Sequence, residues 1–526
     1  MIPRTVFTPG GFMHRTRLVA LALFALPLAA DPVRTQSGLV SGTPAGTPDV
    51  RVYKGIPYAA PPLGDLRWKA PQPAPAWQGV RDAGQYSATC MQTPYPAASF
   101  YYSEPQPVSE DCLYLNVWTA AKSPKERRPV MVWIHGGAFT RGAGSTPTYD
   151  GEKLAAKGVV LVTINYRLGV FGFLAHPELT GESAHHSSGN YALLDQIAAL
   201  EWVQKNIASF GGDPKRVTIF GESAGSWAVN YLMATPVARG LFHRVIGESG
   251  ASFGPNTALA TAEKSGEKFA AAIGAADLRT LRAKPADELL KASGAASFPP
   301  NVDGWLLSED IRSIFEHGKQ NDVPLIAGFN ADEGTTLSPW PASGTAKSFA
   351  EQARRTFGKQ ADDFLKIYPA GTDDEARAAH YNSFRDQRFG WQMRTWVRAS
   401  SQTGHAKTYL YYFSRVPPSA DSARYRAYHA AEIAYVFGNF RPGRPWEDTD
   451  HKLSDAMSSY WVNFAATGDP NGKGLAKWPA YDATSDTALE FGNQVELRRA
   501  LHKDGLDFFD RYYESLRSAA PSNGSR

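Results

Sequence analysis

Short apolar runs alternate with longer amphipathic segments along most of this chain. Nearly continuous apolar runs of four to six residues predict strands that are buried on both faces of a sheet. These strands are predicted at Tyr114–Trp118, Val130–Ile134, Val159–Ile164, Val217–Phe220, Val245–Glu248, Pro324–Phe329 and Thr408–Phe413. Helices are predicted at Tyr191–Ile207, directly after Ser223, and at Ala430–Phe437, Leu453–Ala466 and Leu506–Leu516. The alternation predicts an α/β fold with a mainly parallel central sheet, helices on both faces, and chemistry at the carboxyl ends of the strands.

One predicted strand ends in a Gly-x-Ser-x-Gly pattern. The run Val217–Phe220 is followed by Gly-Glu-Ser-Ala-Gly and then by a helix-forming segment. A strand, a tight turn and a helix in this order can present the Ser223 hydroxyl on a sharp elbow, with the N–H of Ala224 aimed at a developing oxyanion. The pattern predicts a serine nucleophile, and an ordinary structural turn is the alternative.

A second glycine motif follows the predicted strand Val130–Ile134. The strand ends in His135-Gly136-Gly137, and two successive glycines can leave their N–H groups free to point at a substrate oxygen. The motif lies upstream of the serine, where an α/β hydrolase places its oxyanion loop. We therefore predict an oxyanion hole formed by the N–H groups of Gly136, Gly137 and Ala224.

Two stretches, Glu110–Val117 and Phe220–Gly225, resemble the two signature patterns of the type-B carboxylesterase/lipase family, which includes para-nitrobenzyl-esterase-like bacterial carboxylesterases. Further similar stretches are Tyr53–Ala59, Asn165–Gly169, Asn190–Gln196, Phe210–Pro214, Val302–Gly304, Asp332–Gly334 and Thr467–Pro470. They extend over nearly the whole chain. The resemblance implies an α/β-hydrolase fold and a serine carboxylesterase that hydrolyses carboxylic esters to acid and alcohol without a cofactor.

A serine nucleophile needs a base within hydrogen-bond reach and a carboxylate that orients the base. The predicted strand Pro324–Phe329 delivers Asp332 and Glu333 to its carboxyl end, and the local sequence does not separate these two acids from solvated loop residues. The resemblance to the family's Asp-Glu-Gly stretch implies that Glu333 is the catalytic acid.

Five histidines follow Glu333 in the chain, and sequence physics alone does not separate them; they are His380, His405, His429, His451 and His502. The stretch Tyr428–Gly438 is similar to the family's histidine loop, which implies that His429 is the base. The family's usual glycine after this histidine is Ala430 here. Glu222, beside the nucleophile, is a candidate for electrostatic tuning of the site, with a purely structural role as the alternative.

The chain contains two cysteines, Cys90 and Cys112. In an exported protein such a pair most simply forms one disulfide, with two free thiols as the alternative. The resemblance implies the same bridge, which would restrain the aromatic-rich loop 91–111 near the mouth of the site.

The resemblance also implies two ion pairs, Lys54 with Glu110 and Arg167 with Asp195. No Cys-x-x-Cys or His-Glu-x-x-His motif points to a metal.

The N-terminal 30 residues differ from the rest of the chain. Arg4, Arg15 and Arg17 precede the apolar run Leu18–Ala30, whose 13 residues are short for a membrane span of about 20. This pattern predicts a secretory signal peptide over residues 1–30, with an N-terminal membrane anchor as the alternative. The expected location is the periplasm or the extracellular medium. Met13 is an alternative start.

No linker, charge block or repeat divides the remaining residues, so we predict one catalytic domain over 31–526. Of 55 basic residues, three lie in the predicted signal peptide, which leaves 52 against 51 acidic ones. This near-neutral balance gives no reason to expect nucleic acid or an anionic membrane as a partner. The expected partner is a small-molecule ester, without stable membrane insertion, and the sequence does not predict an oligomeric state.

Substrate specificity is the least determined property. Lipase, feruloyl esterase and amidase action all remain open, because pocket shape sets specificity. A non-catalytic, esterase-like binding protein is disfavoured since all three triad residues are present. The loop 91–111 offers Tyr95, Phe100, Tyr101 and Tyr102 but no tryptophan to bind quaternary ammonium. We therefore expect soluble, uncharged esters of short to medium acids.

Overall fold

The computed structural model describes residues 1–6, 8, 10 and 32–519. In this part of the chain a mixed sheet of eleven strands forms the centre of the molecule. In chain order the strands β1–β11 are Thr43–Pro44, Arg51–Pro57, Tyr114–Thr119, Arg128–Ile134, Val160–Ile164, Gly212–Glu222, Arg244–Glu248, Leu325–Asn330, Thr408–Phe413, Thr487–Phe491 and Val495–Arg499. Across the sheet their order is β11-β10-β9-β8-β7-β6-β4-β5-β3-β2-β1.

The middle of the sheet is parallel and both of its edges are antiparallel. The strands β4 to β10 pair in parallel, whereas β3, β2, β1 and β11 join by antiparallel pairing. All seven predicted strands are observed, as β3 to β9. This confirms the predicted α/β fold with a mainly parallel central sheet.

Helices cover both faces of the sheet. In chain order α1–α18 are Glu152–Ala156, Gly169–Phe173, Pro177–Glu182, Tyr191–Asn206, Ala224–Ala234, Leu259–Ala272, Leu278–Ala283, Ala286–Ala292, Ile311–Glu316, Gly334–Leu337, Ala346–Phe357, Ala361–Ile367, Asp373–Arg385, Trp391–Thr403, Ser422–Tyr425, Ile433–Phe437, Asp448–Thr467 and Lys503–Ala519. A π-helical turn, Asp386–Gly390, joins α13 to α14. The short strands Val33–Arg34, Leu39–Ser41, Val80–Asp82, Thr89–Cys90, Val108–Ser109, Thr257–Ala258 and Asn301–Val302 lie outside the main sheet.

Strand β4 shows how the two faces of the sheet are both buried. Its alternate residues Val130, Val132 and Ile134 lie in the buried cluster of one face, which also contains residues of α4, α5 and α14. Met131 and Trp133 pack with α16 and α17 on the other face. Because side chains alternate between the faces of a strand, burial on both sides requires the continuous apolar run seen in the sequence.

The predicted ion pair between Lys54 and Glu110 is wrong. Glu110 pairs with Arg67, whose Nε lies 2.7 Å from Oε2 and whose Nη2 lies 2.5 Å from Oε1. The guanidinium fork satisfies both carboxylate oxygens, which a single ammonium group cannot do. Lys54 instead places its Nζ 4.5 Å from the centre of the Tyr86 ring.

The second expected ion pair is present. Arg167 Nη2 lies 2.7 Å from Asp195 Oδ1, and both side chains are buried. No helix in the described ranges combines the length and the apolar character that a membrane crossing requires. The predicted signal peptide, residues 1–30, lies outside the described residues apart from 1–6, 8 and 10.

Candidate active site

Ser223 lies on a strained turn between β6 and α5. Strand β6 ends at Glu222, α5 begins at Ala224, and Ser223 between them has φ 56° and ψ −121°. A residue with a side chain rarely adopts a positive φ, and such strain persists only where its surroundings hold it. Here the Ser223 N–H donates to the Glu248 carbonyl at 2.8 Å.

The glycines of the motif are required by close packing around this turn. A β-carbon on residue 225 would lie 1.9 Å from the carbonyl oxygen of Ile134, and one on residue 221 would lie 2.5 Å from the same oxygen. Only glycine permits this approach of helix α5 to strand β4. The turn can therefore hold Ser223 directly above the end of β4, where the second glycine motif begins.

His429 and Glu333 form a buried pair beside this turn. His429 Nδ1 lies 2.5 Å from Glu333 Oε2, and the other Glu333 oxygen accepts the Asn330 N–H at 2.8 Å. Asp332, the alternative acid, accepts from Arg426 Nε at 2.9 Å and from the backbone N–H of residue 427 at 3.1 Å. Of the two adjacent acids, only Glu333 therefore orients the histidine.

Ser223 and His429 line one cavity of about 610 Å³. Within the described ranges, none of the other four candidate histidines lines it. No described hydrogen bond links the Ser223 hydroxyl to His429, and such catalytic bonds are often long until substrate binds. The serine and the histidine are thus placed in one site, with the histidine already oriented.

A second carboxyl group faces the other nitrogen of the histidine ring. Glu222 Oε1 lies 3.0 Å from His429 Nε2, and both side chains are buried. Burial raises the pKa of Glu222 well above its usual range, and the negative charges of Glu333 and Glu248 raise it further. The surroundings of Glu222 therefore favour the protonated form of its carboxyl group.

Two further buried glutamates complete what we call the acid cluster: Glu222, Glu248, Glu333 and Glu432. Burial raises the pKa of Glu248 to about 8. The pKa of Glu432 is also raised, by burial first and then by Glu222, Glu248 and Glu333. Sequence reasoning missed Glu248 and Glu432, although Glu248 ends a predicted strand and Glu432 follows His429 by three residues. In the sheet, Glu248 is the register partner of Glu222.

The three predicted oxyanion donors lie at or next to Ser223: Gly136 and Gly137 line the same cavity, and Ala224 follows Ser223 in the chain. A β-carbon on Gly136 would lie 3.1 Å from that of Ser223, so this backbone abuts the serine. In the described part of the chain, the N–H groups of Gly136 and Gly137 donate to no other protein group. Ala224 opens α5, where N–H groups lack partners within the helix.

His135 fixes the glycine loop. Its ring stacks on Tyr166 with 4.4 Å between ring centres, and the Tyr166 hydroxyl donates to the His135 carbonyl at 2.6 Å. Burial lowers the pKa of His135 to about 4, so the ring is uncharged at neutral pH. A neutral, stacked imidazole adds rigidity to the loop without adding a charge beside the acid cluster.

A disulfide-bounded loop forms one wall of the cavity. Cys90 and Cys112 are joined by a disulfide. All four aromatic residues of the enclosed loop line the cavity: Tyr95, Phe100, Tyr101 and Tyr102. The Tyr101 hydroxyl donates to the His429 carbonyl at 3.1 Å, and the Phe100 ring packs on Tyr428 with 4.7 Å between ring centres. The loop therefore also supports the backbone of the histidine loop.

The fold and this site define an α/β-hydrolase-fold protein with a serine at the strand-to-helix turn. No group of three or more His, Cys, Asp or Glu side chains in the described ranges is arranged to hold a metal ion. The geometry fits attack of a serine hydroxyl on a carbonyl carbon, with a histidine as base and backbone N–H groups as oxyanion donors.

Comparisons with known proteins extend this assignment. A family model described as the carboxylesterase family matches residues 29–509. The chain is 37% identical over 501 residues to fumonisin B1 esterase of Sphingopyxis macrogoltabida, covering 90% of each chain. It is 38% identical over 485 residues to para-nitrobenzyl esterase of Bacillus subtilis (strain 168), covering 88% of this chain and 95% of the relative.

A solved structure of a PNB esterase superimposes with a TM-score of 0.77 at 35% identity, covering 91% of this chain and 99% of the other. The chain therefore belongs to the carboxylesterase family and is a carboxylic ester hydrolase.

Proposed function

We propose that Ser223 is the nucleophile of this esterase, His429 its general base and Glu333 the acid that orients the base. The observation that carries the proposal is the buried contact of 2.5 Å between His429 Nδ1 and Glu333 Oε2, in the cavity that contains the strained Ser223. The two flanking motifs supply three N–H groups for the oxyanion: those of Gly136, Gly137 and Ala224.

The reaction then follows two symmetrical steps. His429 takes the proton of the Ser223 hydroxyl as the oxygen attacks the ester carbonyl, and Glu333 stabilises the imidazolium that forms. The alcohol leaves with that proton, and an acyl group remains on Ser223. Water, deprotonated by the same histidine, releases the acid. Each backbone donor in the oxyanion hole contributes about 2.7 to 4 kcal/mol to the transition state.

Replacement of the nucleophile tests this assignment. Ser223→Ala is expected to lower kcat by many thousandfold while the thermal unfolding curve is unchanged, because only a hydroxyl is removed. Ser226→Ala is the matched control: this serine lies on α5, three residues after Ser223, and donates to the Gly250 carbonyl at 2.5 Å. Retention of more than about 1% of turnover in Ser223→Ala would reject the nucleophile. Organophosphate labelling, followed by peptide mass analysis, is expected to modify Ser223.

For the substrate we infer soluble esters of short to medium acids with an aromatic part. The four aromatic residues of loop 91–111 line the cavity, and they offer ring faces together with hydroxyl groups. The test compares kcat/KM for an aryl butyrate, butyrylcholine and an emulsified long-chain triglyceride. A preference for either of the last two would contradict this specificity and leave the triad untouched.

We also infer that residues 1–30 are a signal peptide and that residues 31–526 are exported as one catalytic domain, to the periplasm or the medium. The charged and apolar pattern of the N-terminus and the Cys90–Cys112 disulfide support this. N-terminal sequencing of the protein recovered from the periplasmic and extracellular fractions is expected to start near residue 31. Recovery of the uncleaved chain in the cytoplasm would contradict export.

A further inference from the structure

The wall of the active-site cavity carries two arginines without acidic partners. Arg441 and Arg444 both line the cavity that contains Ser223. The Arg444 guanidinium donates to the Tyr428 hydroxyl at 3.4 Å, and its carbon lies 6.0 Å from the Trp446 ring centre. In the described ranges no carboxylate oxygen lies within 4.0 Å of either guanidinium group. Arg444 is half-buried, whereas Arg441 is exposed at the cavity rim.

The buried arginines of the described chain, in contrast to Arg441 and Arg444, contact carboxylate groups. Each of five buried or nearly buried guanidinium groups contacts a carboxylate, in the pairs Arg67–Glu110, Arg167–Asp195, Arg385–Asp386, Arg394–Asp486 and Arg415–Asp450. A guanidinium group stays charged at all working pH values, and taking it out of water is costly without an anion. Arg441 and Arg444 differ from these groups because they keep contact with solvent inside the active-site cavity, where a substrate anion can reach them.

The rest of the lining does not neutralise them. Glu222 is the buried acid of the cavity, and its carboxyl group contacts His429 Nε2 at 3.0 Å and neither arginine. Glu104, on the opposing loop 91–111, is the other acid among the described lining residues, and it is exposed to solvent. Apart from the two arginines, these two acids and His429, the described lining residues carry no ionisable carboxyl, amino or guanidinium group.

We propose, on the basis of the function proposed above, that this esterase selects substrates that carry a carboxylate in addition to the scissile ester, bound by Arg441 and Arg444. Two guanidinium groups can hold a carboxylate by charge-assisted and bidentate hydrogen bonds. Tyr428, which contacts Arg444, precedes His429 in the chain, so the anion site has a fixed position relative to the base. This replaces the expectation of uncharged substrates with one of monoanionic esters.

The carboxylate can reside on the acyl part or on the alcohol part, and two matched pairs of esters separate these cases. The acyl pair is the 4-nitrophenyl monoester of glutaric acid and 4-nitrophenyl pentanoate. The alcohol pair is 4-carboxyphenyl butyrate and 4-carbamoylphenyl butyrate. In at least one pair, kcat/KM of the wild-type enzyme is expected to favour the anionic ester by about tenfold. Added salt is expected to reduce that preference, since the arginines are partly exposed.

Charge removal in the cavity completes the test. The double variant Arg441→Gln, Arg444→Gln is expected to lower the anionic-to-neutral ratio of kcat/KM by at least about fivefold. Arg354→Gln removes one positive charge from an exposed position on α11, outside the cavity lining. It is expected to leave the ratio unchanged.

The outcomes separate this inference from the proposed function. A wild-type enzyme that hydrolyses the neutral esters without preferring either anionic one would overturn the inference alone. So would a preference that survives in the double variant or falls equally in Arg354→Gln. An enzyme that hydrolyses none of the four esters would overturn the proposed function and the inference with it.

Discussion

At the scale of single residues, the site depends on a contrast between two adjacent acids. Asp332 and Glu333 both follow β8, yet their carboxyl groups contact different parts of the chain. Asp332 bonds the chain segment before the histidine, through Arg426 and the backbone of residue 427. Glu333 is fully buried and holds the ring of His429 itself. Of two adjacent acidic side chains, one thus supports the neighbouring chain segment and the other orients the His429 ring.

Glu333→Gln is therefore expected to lower kcat by more than about a thousandfold, because the amide no longer selects the histidine tautomer or stabilises the imidazolium. Asp332→Asn is the matched control, and it is expected to retain turnover within about tenfold while the Tm falls slightly, since a charge-assisted contact is weakened. Steady-state kinetics of both variants on one aryl ester decide the question. Equal losses would leave the acid unassigned, and a larger loss at Asp332 would reverse the roles.

The sequence identifies these site residues to different degrees. Ser223 and the donors Gly136 and Gly137 follow from local motifs, because each motif forms its own turn. Glu333 and His429 could be chosen among alternatives only through the family resemblance, since their contact joins positions 96 residues apart. The family resemblance did not identify Arg67 as the ion-pair partner of Glu110. Arg67 reaches it across the fold and also donates to two backbone carbonyls near residue 283.

At the scale of elements, the sequence predicts the centre of the sheet better than its edges. A strand such as β5 is buried at every position and therefore reads as one apolar run. Strand β11, Val495–Arg499, is almost entirely exposed and carries charged residues, so it lacks an apolar pattern. Its place depends on pairing with β10. The sequence does not predict the helices α1–α3 and α6–α15 either, and several of them bury only one narrow side.

The element that links stability to the cavity is the disulfide-bounded loop. The bridge joins cysteines 22 positions apart. A loop of this length is expected to contribute about 3 kcal/mol through the restricted unfolded chain. The double variant Cys90→Ser, Cys112→Ser is expected to lower the Tm and to raise KM for aryl esters, because the aromatic wall loses its anchor. Its kcat is expected to change less than KM, since the triad lies outside the loop.

The thiol state provides the direct control for this prediction. Thiol titration of the denatured, non-reduced wild-type protein is expected to find no free cysteine. Two free thiols in protein made in an oxidising compartment would contradict the bridge. An unchanged Tm in the double variant would show that packing, and not the bridge, holds the loop.

At the scale of the whole molecule, the central sheet gathers acids at its carboxyl edge. Glu222 and Glu248 end the neighbouring parallel strands β6 and β7 in register, and Glu333 and Glu432 approach from the loops beyond. Only some of these carboxyl groups can be ionised at once, because like charges repel strongly at low dielectric. The active-site edge is therefore a region in which the folded state keeps protons that the unfolded chain releases.

This makes stability depend on pH in a defined direction. The pKa of Glu248 is about 8 in the folded protein, because of burial, against 4.5 ordinarily. Between these values the folded state binds more protons than the unfolded state, so the free energy of unfolding falls as the pH rises. Below pH 4.5 both states are protonated and this loss is absent.

Glu248→Gln removes the titrating group and keeps an oxygen that can accept the Trp461 Nε1–H, which Glu248 Oε1 now accepts at 2.8 Å. As the pH increases from about 5 to about 8, the free energy of unfolding of the variant is expected to rise relative to that of the wild type by on the order of 1 kcal/mol per pH unit. The Tm of the variant rises relative to the wild-type Tm in the same direction. Glu104→Gln, which alters an exposed acid, is the control and should follow the wild-type curve. Parallel curves for Glu248→Gln and the wild type, measured by thermal unfolding at pH 5, 6.5 and 8, would show that Glu248 is already ionised in the folded protein.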